Sequence, residues 1–354
     1  MHMADALISP AIGGTMWAAT AGLTVYSARR LTQEIDDRKV PLMGVLGAFV
    51  FSAQMINFTI PATGSSGHLA GGMILSILLG PYAAFLTMAS IITVQALFFA
   101  DGGLLALGCN IFNMGFFACF VAYPFIYNKI VSGQPTQRRI FSGATASAIV
   151  GLQLGALGVV LETILSGVTD LPFRTFLVLM QPIHLAIGVV EGLATALVVI
   201  FIWKARPEIV ETAGPSREAA TGSLRQVLVG LLVLTVVIGG ALSWFASTHP
   251  DGLEWSIFRS TGKEELAAPE HGVHGLVAEL QKKTAFLPDY DFKKEETGGE
   301  PKEEARQTPP GSSASEQWPA VRAGTSVAGI VGAGITMLAA GLIGFGLKRR
   351  QNKR

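Results

Sequence analysis

Long apolar runs separated by short polar breaks dominate the chain. Residues from Ala4 to about Ala28 form the first run, closed by Arg29-Arg30 and a charged stretch from Gln33 to Lys39. Pro41 to about Phe58 is the second. A helix needs about 20 apolar residues to cross the hydrocarbon core. Leu69 to Leu79 reaches only half of that before Gly80-Pro81, where a break is expected because proline removes a backbone donor and clashes with the preceding turn. Runs from about Tyr82 to Ala100, Leu104 to Tyr127, Ile140 to Leu165 and Phe173 to Trp203 bring the first part to about seven helices. A later pair, about Leu224 to Ala246 and Ala320 to Leu347, brackets a long polar region.

The basic residues orient these runs. Arg29-Arg30, Lys129 with Arg138-Arg139, Lys204 with Arg206, and the closing Lys348-Arg349-Arg350 to Arg354 all fall on one side of a nine-span arrangement. Positive clusters beside spans mark the cytoplasm, so the N-terminus is expected outside and the C-terminus inside. The first run also resembles a signal anchor, and it is expected to remain uncleaved. The fold class is an all-α integral membrane protein of the cell inner (plasma) membrane. Residues 1–206 form an about seven-helix membrane domain, 207–223 a polar cytoplasmic linker, and 224–354 a two-helix hairpin with a large outer loop. Lys293 to Gly311 in that loop, rich in Glu, Lys, Pro and Gly, is expected to be disordered.

Composition agrees. Half of the 354 residues are hydrophobic, 14% are charged, and mean hydropathy is +0.48. That excludes an ordinary soluble domain. A net charge of +1 gives no footprint for nucleic acid. Cys109 and Cys119 both lie in apolar sequence, so buried thiols are expected rather than a disulfide framework. No GxxxxGK[ST], HExxH or GxSxG is present, and no paired carboxylates or nucleophile-base set argues for an enzyme.

Candidate chemistry lies at two outer positions. In Met1-His2-Met3, a free α-amine, the His2 amide nitrogen and the His2 imidazole can close a five- and a six-membered chelate ring on one ion. A nitrogen-rich, nearly planar set suits Ni(II) or Cu(II) and suits Mg(II) or Ca(II) poorly. The tripeptide alone also fits a frayed terminus. His68 closes the loop Pro61-Ala62-Thr63-Gly64-Ser65-Ser66-Gly67, too rich in small residues to be helical. The short run behind it starts His68 deep, where irregular backbone survives only if covered by protein or lining a cavity. The two histidines can then converge, with Asn57 and Ser65 or Ser66 near enough in sequence to orient His68. His184 and Glu191, seven residues apart on one helix face, read as a buried polar pair. His271 and His274 are spaced to hold a metal if helical, and otherwise belong to a solvated loop. Asp101 and Glu162 read as interfacial residues.

Longer motifs then point to a family. Met1-His2-Met3-Ala4-Asp5-Ala6-Leu7-Ile8-Ser9-Pro10, the Pro61 to His68 loop, Leu79-Gly80-Pro81, Gln95 to Gly103 and Leu107 to Gly115 together resemble the NikM/CbiM proteins over about Met1 to Arg206. These are the substrate-binding membrane (S) components of energy-coupling-factor transporters for nickel and cobalt. The resemblance implies that Met1, His2 and His68 hold the ion, with no resident cofactor. It also implies that the transmembrane coupling (T) component and the ATPase (A) components are separate chains. His249-Pro250-Asp251-Gly252-Leu253-Glu254 resembles the PDGLE motif of the small NikN-type partner, fused here behind the binding component. A PDGLE tail favours nickel, while the N-terminal half resembles cobalt-type relatives about as well. The expected function is ATP-driven import of Ni(II) or Co(II). The rivals are a cobalt importer feeding cobalamin synthesis, a non-transporting metal sensor, and a gradient-driven secondary transporter.

Overall fold

The computed structural model describes residues 2–132, 135–210, 224–263, 266–293 and 319–353. Met1, most of the linker and nearly all of the Lys293 to Gly311 stretch lie outside the described residues.

Helix α1 (Pro10–Glu34) begins later than the apolar run that predicts it. Ser9 caps it by accepting from the Ile12 N–H, and Pro10 fills the first turn, where no donor is needed. Residues ahead of Ser9 instead make a single tight turn, Asp5–Leu7, whose Met3, Leu7 and Ile8 are buried. Their apolarity therefore reports burial in protein and not in lipid. Helix α2 (Lys39–Gln54) is apolar all round and buried from Leu42 to Gln54, as a helix surrounded by others must be.

The small-residue loop turns out to be ordered. Strands β1 (Phe58–Ile60) and β2 (Ser65–Gly67) pair antiparallel, with Thr59 opposite Ser66. Helix α3 (Gly72–Leu79) has eight residues and spans about 12 Å. Gly71 at φ 77 admits it, and Gly80 at φ 79 with Pro81 at the next N-terminus separates it from α4 (Pro81–Phe99). The half-length helix and its break follow the sequence expectation. Helix α5 (Leu107–Val131) has π-type winding over Phe112–Tyr127, the stretch that includes Pro124. Helices α6 (Gln137–Ser166) and α7 (Phe173–Ala205) form a hairpin packed through small residues. A β-carbon on Gly192 would stand 2.6 Å from Thr145 Cα, so only glycine lets the backbones approach this closely.

Behind the linker, α8 (Leu224–Gly240) and α11 (Ala323–Gln351) pack on α2, and α11 also meets α4. Between them in sequence lie α9 (Gly252–Thr261) and α10 (Gly272–Thr284). Among the described residues, α4, α5, α6, α7 and α11 are long and apolar enough to cross a membrane, and α2 and α8 are shorter apolar helices. Leu165, Leu197 and Phe201 on α6 and α7, and Leu338 and Leu342 on α11, are left exposed, as a lipid-facing surface requires. The protein is an all-α, multi-pass membrane protein, and among the described residues its one small sheet lies at the site.

Candidate metal centre

The N-terminal strand is fixed before it reaches any helix. The Met3 N–H donates to Asn110 Oδ1 at 2.7 Å, and Asn110 Nδ2 returns a bond to the Met3 carbonyl at 3.1 Å. Gly103 N–H donates to the same carbonyl at 2.9 Å. Asp5 accepts from the Ala106 N–H at 3.0 Å, stapling the next turn to the start of α5. Gly102, at φ 81, has no room for a side chain: a β-carbon there would lie 2.7 Å from Asn110 Nδ2 and 3.2 Å from His2 Cβ. Residue 2 is thus held from both sides.

His2 and His68 meet. Their rings stack 5.3 Å apart between centroids, 12° from parallel. His68 Nδ1 lies 3.1 Å from the Leu69 carbonyl, which places the ring proton there and the lone pair on Nε2. Burial, reinforced by neighbouring positive charge, lowers the His68 pKa to about 3, so the ring is neutral, the form that binds metals. His2 Nδ1 lies 3.1 Å from Asp101 Oδ1, while its Nε2 is buried with no hydrogen-bond partner. Tyr290 donates to the other oxygen, Asp101 Oδ2, at 2.5 Å. Although burial acts to raise it, the Asp101 carboxyl is held below the usual range by the His2 ring and the Tyr290 hydroxyl. Burial and that carboxylate push the Tyr290 phenol up, so it keeps its proton and donates.

The backbone after His68 is fixed by residues from three other helices. Glu191 on α7 accepts the N–H groups of Ala70 at 2.8 Å and Gly71 at 3.2 Å. Gln54 on α2 donates to the Ala70 carbonyl at 2.8 Å and accepts from Gln95 on α4 at the same distance. His184 does not pair with Glu191. Its Nδ1 meets the Met180 carbonyl at 2.8 Å, while the Glu191 carboxylate serves the buried N–H groups ahead of α3, which need an acceptor.

Ser65 and Ser66, two of the three residues singled out from sequence to orient His68, bond elsewhere through their side chains. Ser65 shares a hydrogen bond with Thr63, Ser66 donates to the His249 carbonyl at 2.8 Å, and the Asn57 carbonyl accepts from Ser247 N–H at 2.7 Å. The last two contacts reveal what covers the site. The Pro250 carbonyl takes the Ser66 N–H at 2.8 Å, and Trp255 Nε1 donates to the Thr63 carbonyl at 2.9 Å. Asp251 caps α9 in a full capping box with Glu254, and Gly252 sits so tightly on α7 that a β-carbon would lie 2.6 Å from Ile183. The HPDGLE turn is therefore seated on β2 and α7 beside His68. Further along, His274 Nε2 meets the Ile8 carbonyl at 2.9 Å, and Gln281 donates to the Ala96 and Gly102 carbonyls. His274 is buried as a tether, neither in a solvated loop nor in a metal pair with the exposed His271. Cys109 and Cys119 are buried free thiols, as expected.

Together these parts enclose a cavity of about 760 Å³ lined by His2, Asp5, His68, Asp101, Asp251 and Tyr290, among others. Its carboxylates favour a cation, and its two imidazoles favour a borderline transition metal over calcium or magnesium.

Comparison with known proteins agrees with this chemistry. Residues 2–209 match the family CbiM, described as the cobalt uptake substrate-specific transmembrane region, and residues 225–349 match the PDGLE domain. The chain is 34% identical over 233 residues to a putative fused nickel transport protein NikMN of Archaeoglobus fulgidus, covering 66% of this chain and 74% of that protein. It is 30% identical over 314 residues to the fused nickel transport protein NikMN of Rhodobacter capsulatus, covering 82% and 88%. A cobalt transport protein CbiM of Geobacter sulfurreducens is 27% identical over 284 residues, covering 77% of this chain and 79% of that one. Among solved structures, a transition metal transporter superposes with a TM-score of 0.51 at 32% identity, covering 58% of this chain and 93% of that chain. The chain belongs to the CbiM family of cobalt- and nickel-transport membrane proteins, which are transporter components and not enzymes, and carries a PDGLE domain fused behind that region.

Proposed function

We propose that this chain is the substrate-binding component of an ATP-driven energy-coupling-factor transporter that imports Ni(II), with Co(II) as the alternative cargo. The observation that carries this reading is the meeting of His2 and His68 in a cavity ringed by carboxylates. In the proposed site the amine of Met1, the amide nitrogen and Nδ1 of His2, and Nε2 of His68 surround the ion. Met1 lies outside the described residues, so its part in the chelate rests on the chemistry of a free terminus. Four nitrogens near one plane disfavour Zn(II), which prefers a tetrahedron, while Cu(II) would bind at least as tightly as nickel. The ion enters from outside, and the basic C-terminus faces the cytoplasm. No nucleotide-binding loop is present in the sequence, so the ATPases and the coupling component are separate chains.

One feature supports a second arrangement of ligands. His2 Nδ1 faces Asp101, which suits an ion on Nε2 with the carboxylate orienting the ring from behind. This version needs no terminal amine.

The transport reading is tested by measuring nickel and cobalt accumulation in cells that co-express this chain with its coupling and ATPase components. Accumulation should vanish when the ATPase P-loop lysine is replaced. A sensor or gradient-driven carrier would be indifferent to that change.

A further inference from the structure

Tyr290 comes from the PDGLE half of the chain, yet its hydroxyl ends in the metal-binding half. It donates to Asp101 Oδ2 at 2.5 Å while Asp101 Oδ1 meets His2 Nδ1 at 3.1 Å, so one carboxylate links the phenol to the chelating histidine. Close by, Gln95 donates to Gln54, which donates to the Ala70 carbonyl, two residues beyond His68. The ring is held on an aromatic platform, stacked on Phe99 at 5.0 Å and edge-on to Phe51 at 6.2 Å. The backbone is bent to deliver it: Asp289 and Tyr290 sit at φ 53 and φ 58, the left-handed region that residues with a β-carbon rarely enter. Two such residues in succession persist only where surrounding contacts enforce them, and such positions cluster at functional sites.

We infer that Tyr290 is a positioning residue for His2, acting through Asp101, so that the fused module sets the geometry of the ring that takes the ion. This inference rests on the reading that His2 and His68 hold the metal. In the metal-free site Asp101 holds the His2 ring in place for the ion, and when the ion takes Nδ1 the carboxylate gives up that bond. Tyr290 is then the donor that keeps a largely covered carboxylate satisfied beside the site. Removing the hydroxyl penalises the metal-bound form and leaves the ring stack intact.

The test is calorimetric titration of the full-length protein with Ni(II) alone, on wild type, Tyr290→Phe, Asp101→Asn, the double variant and His2→Ala. Tyr290→Phe should weaken binding about tenfold, the usual scale for stranding a charged acceptor. In the Asp101→Asn background the same change should matter by less than about twofold, because no carboxylate remains to be satisfied. Where a variant binds too weakly to titrate, the nickel-induced shift in melting temperature reads the same coupling. Unchanged affinity in Tyr290→Phe overturns the inference, as does an equal loss in both backgrounds, which would mean that the ring only packs. If His2→Ala binds nickel like wild type, the metal reading itself fails, and that outcome is distinct from either of these.

Discussion

Glu191 accepts the Ala70 N–H at 2.8 Å across 121 residues of sequence, and its second oxygen takes Gly71. A carboxylate on α7 thus fixes the backbone leading into α3, starting two residues beyond His68. Replacing it with leucine leaves two buried donors unpaired at a cost of about 1–3 kcal/mol each. Glu191→Leu should lower the melting temperature and weaken nickel binding together. Glu191→Gln, which keeps one acceptor, should retain more of both. Calorimetry and thermal unfolding in detergent decide this, and nickel affinity unaffected by Glu191→Leu would show that the loop does not depend on the clamp.

Gly252 gives a test of how the PDGLE turn is seated. With Ile183 2.6 Å from the place a β-carbon would occupy and His184 3.3 Å away, Gly252→Val must lift the turn from α7. Overpacking of this kind costs about 1–3 kcal/mol. The variant should expose the Trp255 region to limited proteolysis while the helices of residues 2–209 keep their far-UV circular dichroism. Wild-type protease resistance would mean that the turn does not rest on α7 in solution.

The depressed pKa of His68 has a definite consequence for acid stability. Its folded value of about 3 lies below the ordinary 6.5, so between those limits the unfolded chain binds the extra proton. The stabilising contribution is complete above about pH 6.5 and is lost as pH falls below it. Melting temperature of the metal-free protein should therefore drop from pH 7 to pH 4, and less steeply in His68→Gln. Identical slopes would show that His68 is not the group being charged.

The membrane-embedded fold was largely legible in the sequence because hydropathy and helix breakers act locally. The break at Gly80-Pro81 and the half-length α3 both follow from neighbours in sequence. What was hidden depends on distant partners. Ala4 to Ile8 reads as the start of a span, yet Asn110, 107 residues away from Met3, ties it into an extended segment and a tight turn. Ser65 and Ser66 read as irregular loop because their strand pairing is completed by Pro250. Asp101 reads as interfacial, and nothing near it in sequence marks His2 and Tyr290 as its partners. Glu191 was matched with His184 by helical spacing, whereas the decisive partners were the free N–H groups of α3. A buried carboxylate opposite a glycine-rich helix start was the available signal.

The central claim is that the ion is held by a chelate that begins at the terminal amine and is closed by His2 and His68. The most direct measurement is calorimetric titration with Ni(II) of purified protein whose N-terminus has been verified by mass spectrometry, beside a variant with one alanine added ahead of Met1. The added residue moves the amine without touching either histidine. It should abolish nickel binding as completely as His2→Ala or His68→Ala. Full binding by the extended protein, with loss in both histidine variants, would contradict the amine chelate and leave the ion on the imidazoles alone.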